Sequence, residues 1–155
     1  MQAFEFYCPT KIYFGKGAEA RVGEAVKRFG GTKVFIVYGG HSAVKSGLIA
    51  RIEQTLTDAG LEHMSFGGVQ PNPRLSHARE GVQKALAFGA DFILGVGGGS
   101  VMDAAKLASV LVTDDYGVKE LLDNPGMAQK CVPIVLIPTT AGTGAEVTPN
   151  AIVAV

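Results

Sequence analysis

Cysteine is scarce in this chain: Cys8 and Cys131 stand far apart, with no CxxC spacing. With ample apolar material for a core, such a pair gives no reason for a disulfide and points to reduced thiols in a cytoplasmic protein. Charge excess is also absent, since 14 Lys and Arg balance 14 Asp and Glu. No basic run follows the pattern of a phosphate backbone, which makes nucleic acid a poor partner. The longest apolar runs, Phe92–Val96 and Val132–Ile137, fall far short of the ~20 residues that a membrane helix needs. Met1–Pro9 is neither basic nor followed by an apolar stretch with a small-residue cleavage site, so no signal peptide is expected. His41, His63 and His77 are scattered, with no His-x-x-x-His pair and no paired carboxylates, and no metal site is expected from them. The GxxxxGK[ST] motif is missing too, which excludes a P-loop protein.

What is present is glycine, at 21 of 155 positions, and 47% apolar residues, enough for the core of one domain. Lys33–Val37 (KVFIV) reads as a strand buried on both faces. After it, Val44, Leu48, Ile52, Leu56 and Ala59 recur at steps of three or four and predict one helix capped by Gly60. The unit repeats, with a strand at His63–Phe66 and a helix marked by Leu75, Ala78, Val82, Ala85 and Leu86. A third copy pairs the strand Phe92–Val96 with a helix on Val101, Ala104, Ala105, Ala108, Leu111 and Val112. A looser stretch, Thr113–Lys130, precedes a fourth strand at Val132–Ile137. Lys11–Phe14 and Ala151–Val155 are strand-like, and Ala18, Val22, Ala25, Val26 and Phe29 predict a helix. The alternation specifies an α/β fold, an open parallel sheet with helices on both faces.

In such a sheet ligands sit at the carboxyl ends of the strands. There Gly97-Gly98-Gly99-Ser100 lies between a buried strand and a helix, where backbone without Cβ atoms and a helix's first-turn amides favour a diphosphate. The plainer account is a tight turn with Ser100 as N-cap and Asp103 completing the box. Gly95-x-Gly97-x-x-Ser100 approaches the dinucleotide fingerprint. It follows the third strand, however, and the next strand lacks the terminal acid which that fingerprint expects. Pro138–Thr148 (PTTAGTGAEVT) concentrates hydroxyls that can bond phosphate or ribose, or can serve as helix caps. Within it Glu146 reads as a partner for a lysine or a first-turn charge more readily than as a catalytic acid. Asp103 and Lys106, at i and i+3 on one helical face, are expected to form an ordinary ion pair.

Together, Gly97–Lys106 (GGGSVMDAAK) and Pro138–Thr148 closely resemble the two signatures of the iron-containing alcohol dehydrogenase family, and Gly15-Lys16-Gly17 and Pro71-Asn72-Pro73 are similar to family features. The resemblance implies a Rossmann-like, N-terminal nicotinamide-dinucleotide-binding domain over residues 1–155, followed by a helical domain that supplies an Asp and three His to iron or zinc. It implies a diphosphate on Gly97, Gly98, Gly99 and Ser100, with Asp103 in the cofactor-binding set. Thr139, Thr140 and Thr143 would lie nearer the nicotinamide and Asn72 in the nucleotide pocket. Members using NAD tend to carry an Asp just after the first strand, where this chain has Gly39, Gly40 and Ser42. A carboxylate there would repel a 2′-phosphate, whereas amides and a hydroxyl accommodate one, so NADP is favoured over NAD. The segment also resembles butanol-dehydrogenase-like members that use NADPH.

The chain ends on apolar, β-prone Ile152-Val153-Ala154-Val155, unlike a domain linker, and is expected to be cut short with its metal-binding helical domain absent. In the complete enzyme the metal would polarise the oxygen of a small alcohol or aldehyde while hydride moves to or from the cofactor. The 155 residues by themselves are expected to bind cofactor without turnover. A surface left uncovered by a missing domain predicts self-association, a homo-oligomer among its forms. Two alternatives stand beside this reading: a non-catalytic nucleotide-binding module, and a fold relative such as a dehydroquinate synthase or glycerol dehydrogenase, against which Thr139–Thr148 argues.

Overall fold

A computed structural model describes residues 3–5, 7–113 and 117–153. The two central strands of its sheet, KVFIVY and FILGVG, are apolar runs that suit a surface packed from both sides, whereas the edge strand EHMSF is largely polar and exposed. The strands are β1 (Lys33–Tyr38), β2 (Glu62–Phe66), β3 (Phe92–Gly97) and β4 (Ile134–Pro138), all parallel, in the order β2-β1-β3-β4. Helices α1 (Val22–Arg28), α2 (His41–Lys45), α3 (Leu48–Asp58), α4 (Leu75–Phe88), α5 (Gly99–Leu111) and α6 (Val118–Asp123) occupy the connections.

Alternation along the strands divides the core into two layers. Val34, Ile36, Phe92, Leu94 and Val96 pack with Val22 and Val26 of α1 and with Ile49, Ile52 and Leu56 of α3. Phe35, Val37, Phe66 and Ile93 pack on the other face with Val82 and Ala85 of α4 and Val101, Ala105 and Ala108 of α5. A fully buried side chain of this size contributes about 1.5–3 kcal/mol, so the two layers carry most of the fold's stability.

Three sequence expectations change. The helix drawn from Val44 to Ala59 is two helices, because Gly47 adopts a left-handed conformation (φ 71°) between α2 and α3. The break swings Val44 out to 52% exposure and puts Ile49, a residue off the expected stripe, into the core. Lys11–Phe14 forms no strand, and Phe14 is 99% exposed; a polar and apolar alternation becomes a strand only beside a partner edge. Ala151–Val153 form no strand either, while Ala154 and Val155 lie outside the described residues. The helix at α6, within the stretch read as loose, had no periodic signal over its 6 residues.

The amino end of the sheet is tied by one carboxylate. Asp91 accepts from the Thr32 and Lys33 amides at 2.9 and 2.8 Å and from the Thr32 hydroxyl, joining the entrances of β1 and β3. Burial works to raise its pKa, but the bonds from the Thr32 hydroxyl and the two amides outweigh it and hold the carboxyl below the ordinary aspartate range. A depressed pKa stabilises the fold at pH values above the unfolded group's pKa, and that contribution is lost as pH falls through the folded value. Asp91→Ala is therefore expected to cost about 1.5–3 kcal/mol at pH 7. Urea unfolding of both proteins from pH 7 down to 3 should show the difference shrinking; a difference independent of pH would reject this role.

Candidate functional site

Strand order places the site. The chain winds from β1 outward to β2, then crosses back over β1 to β3 and on to β4. Connections therefore leave β1 and β3 in opposite directions and open a crevice between their carboxyl ends, the position at which doubly wound sheets bind ligands. The turns facing it are the glycine-rich and threonine-rich segments singled out in the sequence.

Gly97 closes β3, and Gly98 is the N-cap of α5, with no side-chain cap. The Val101 and Met102 amides turn back to the Gly98 carbonyl at 3.0 and 3.1 Å. Those of Gly99 and Ser100 precede the first intrahelical bond and face the crevice with the positive end of the helix dipole. Ser100 is thus the second residue of α5, not its cap, which is Gly98. Cap status is decided by where β3 ends, which spacing alone does not reveal.

The threonine turn docks on this glycine turn. The Thr139 amide donates to the Gly97 carbonyl at 2.9 Å, extending the β3–β4 ladder past the strands. A Cβ added to Gly98 would lie 3.4 Å from Thr140 Oγ1, and one on Gly99 would lie 3.7 Å from Thr143 Cγ2. Gly142 and Gly144 take positive φ values of 88° and 65°, which let the segment double back toward α5.

The β1 turn forms the opposite wall. The Gly39 carbonyl accepts from the Gly68 amide at 3.1 Å, joining the β1 and β2 exits. Gly39 faces Val101 of α5, while a Cβ on Gly40 would meet nothing within 4 Å. Ser42 is exposed on the short α2. Asn72 is also exposed and adopts φ 54°, the one left-handed non-glycine among the described residues, a conformation asparagine tolerates better than most.

The expected Asp103–Lys106 ion pair does not form. Lys106 Nζ donates instead to Thr148 Oγ1 at 3.3 Å and the Asn150 carbonyl at 2.9 Å. Burial pulls the Lys106 pKa below the ordinary lysine range, against the opposing charges of Asp103 and Glu146. These partners lie 42 and 44 residues along the chain, beyond the reach of any helical spacing rule. Among the described residues no three His, Cys, Asp or Glu side chains converge as a metal site, and no helix is long and apolar enough to cross a membrane. A groove of about 530 Å³ between α4 and α6 lies away from the crevice and contains none of its residues.

Residues 9–155 match the family model of iron-containing alcohol dehydrogenases. NADH-dependent butanol dehydrogenase A of Clostridium acetobutylicum is 33% identical over 153 residues, covering 99% of this chain and 39% of its own length. Lactaldehyde reductase of Escherichia coli K12 is 35% identical over 143 residues, 91% of this chain and 37% of that protein. The crystal structure of NADH-dependent butanol dehydrogenase A from Thermotoga maritima superposes with a TM-score of 0.90 at 36% identity, over 99% of this chain and 38% of that one. The chain therefore spans well under half the length of these relatives.

Proposed function

This chain belongs to the iron-containing alcohol dehydrogenase family, and we propose that the crevice between β1 and β3 binds a nicotinamide dinucleotide for hydride exchange with a small alcohol or aldehyde. The observation that carries the reading is the uncapped start of α5 at the switch point, with the threonine turn bonded against it. The diphosphate lies on the Gly99 and Ser100 amides, approached closely because Gly97, Gly98 and Gly99 carry no side chains. Thr139, Thr140 and Thr143 line the cofactor toward its nicotinamide, with Asp103 behind them on α5. Asn72 borders the nucleotide at the β2 exit.

The iron of the family's name does not fit the residues described, which offer no convergent ligand set. What these residues do is bind and orient the cofactor. A nicotinamide dinucleotide held on the Gly99 and Ser100 amides would supply the hydride that reduces an aldehyde, or accept the one released by an alcohol. Titration with the reduced cofactor, followed by a butanal-dependent oxidation assay, separates binding from turnover. Absence of binding to either NADPH or NADH overturns the proposal.

The cofactor proposed is NADP, with NAD as the weaker ligand. The relatives named above are called NADH-dependent in two cases, yet the β1 turn of this chain carries Gly39, Gly40 and Ser42 and no carboxylate. A 2′-phosphate meets amides and a hydroxyl there in place of a repelling charge. Gly39→Asp is expected to weaken NADPH about tenfold or more while leaving NADH within a few-fold, an electrostatic difference on the order of 1.4 kcal/mol. The added Cβ would lie 3.4 Å from Val101, an ordinary contact, so the variant should fold. Equal losses for both cofactors in fluorescence titrations would reject NADP preference.

A further inference from the structure

The threonine turn is fastened at both ends. At its start the Thr139 amide holds the Gly97 carbonyl. Between Thr139 and Thr143 every residue is exposed, and Gly142, at φ 88°, is left-handed. Its far end runs through a turn of 3-10 helix, Ala145–Val147, and then under the Lys106 ammonium.

That ammonium gathers four groups from two elements. Thr148 Oγ1 and the Asn150 carbonyl accept from it, and the carboxylates of Asp103, on its own helix, and Glu146, on the returning segment, bear on it electrostatically. Glu146 Oε2, on the same returning segment, is buried and makes no hydrogen bond among the described residues. Asp103 and Lys106 stand on the helix whose amino end forms the glycine turn, so the same rigid element carries the diphosphate cradle and this fastening.

We infer that Lys106 is a positioning residue: by holding Thr148 and Asn150 on α5 it fixes the threonine turn at the distance from Gly98 and Gly99 that the nicotinamide half of the cofactor requires. The inference rests on the cofactor reading above. It gives Lys106 no contact with the cofactor, and it predicts a loss that discriminates between halves of the ligand. ADP carries the adenosine and diphosphate without the nicotinamide half; NADPH carries all of these and a 2′-phosphate, which lies at the β1 turn away from Lys106.

In Lys106→Met, NADPH affinity is expected to fall about tenfold and ADP affinity less than twofold, with Lys106→Arg recovering NADPH to within threefold because it keeps the charge and more than one donor. Hydrogen exchange should quicken across residues 140–150 and stay unchanged in β1 and β3. Should the methionine variant not fold, Thr148→Val removes one acceptor and keeps the ammonium, and the same selective loss is expected on a smaller scale. Unchanged NADPH affinity, or equal losses of NADPH and ADP, overturns the inference. If the unaltered chain binds neither ligand, the cofactor reading fails instead. The exchange data then decide alone: quickening confined to residues 140–150 upholds the fastening, and unchanged exchange there rejects it.

Discussion

Gly98→Val leaves the chain folded and lowers NADPH affinity about a hundredfold, a loss of about 2.7 kcal/mol. The backbone at Gly98 (φ −85°, ψ −171°) is extended and open to any residue, so a side chain brings no conformational strain. Its Cβ would lie 3.4 Å from Thr140 Oγ1, ordinary contact distance. Valine is a poor N-cap and is expected to cost about 1 kcal/mol, a few degrees in Tm. The branched methyls, however, stand between the threonine turn and the first-turn amides of α5, in the space through which a diphosphate approaches. Ligand and methyls cannot share it, and the loss falls on binding. Calorimetric titration beside thermal melting checks both halves of the statement. A variant that melts near the parent and binds NADPH normally would place the diphosphate elsewhere.

Gly95→Ala does the reverse, lowering stability by about 2–3 kcal/mol and Tm by roughly 5–10 °C. Gly95 lies in the middle of β3, buried, in register with Val37 and Leu136 and directly beneath α5. A Cβ there would sit 2.8 Å from Leu136 Cδ2 and 2.9 Å from Ala105 Cβ. The leucine methyl ends a flexible side chain and can rotate away. Ala105 Cβ is fixed to the helix backbone, so α5 itself must lift from the sheet. Because α5 carries the glycine turn, its displacement also loosens the site. Restoring space with Ala105→Gly costs helix propensity, about 1 kcal/mol, but relieves the clash. The double variant is expected to be less destabilised than the sum of the two single ones by about 1 kcal/mol, a coupling that denaturant melts measure. Strict additivity would mean that the helix does not rest on Gly95.

Much of this is legible in the sequence. The strands at Lys33, His63 and Phe92 lie within a residue or two of the expected bounds; those at Lys33 and Phe92 are covered on both faces and are therefore nearly uninterrupted apolar runs. The helices α4 and α5 followed from periodicity and from glycines that cap or break. That ligands belong at the carboxyl-end turns rich in glycine and threonine follows as well, but not which two strands the crevice separates. What failed did so for physical reasons. Gly47 gives no signal in the pattern, because the apolar steps on either side continue across it, although its left-handed backbone ends one helix and starts another. Lys11–Phe14 has a strand's alternation without a strand's neighbour, and Phe14 stands in the open.

The sequence by itself determined the layered α/β class, the two motif-bearing turns and the family, because each depends on local spacing or on short contiguous patterns. Only the tertiary structure decided that β3 lies beside β1, which opens the crevice, and that the threonine turn bonds to Gly97. It alone also decided that Lys106 leaves the carboxylate one turn away for Thr148 and Asn150. On an isolated helix the nearest opposite charge wins. In the folded chain, burial removes water from the ammonium, and the acceptors that the returning segment brings to it prevail.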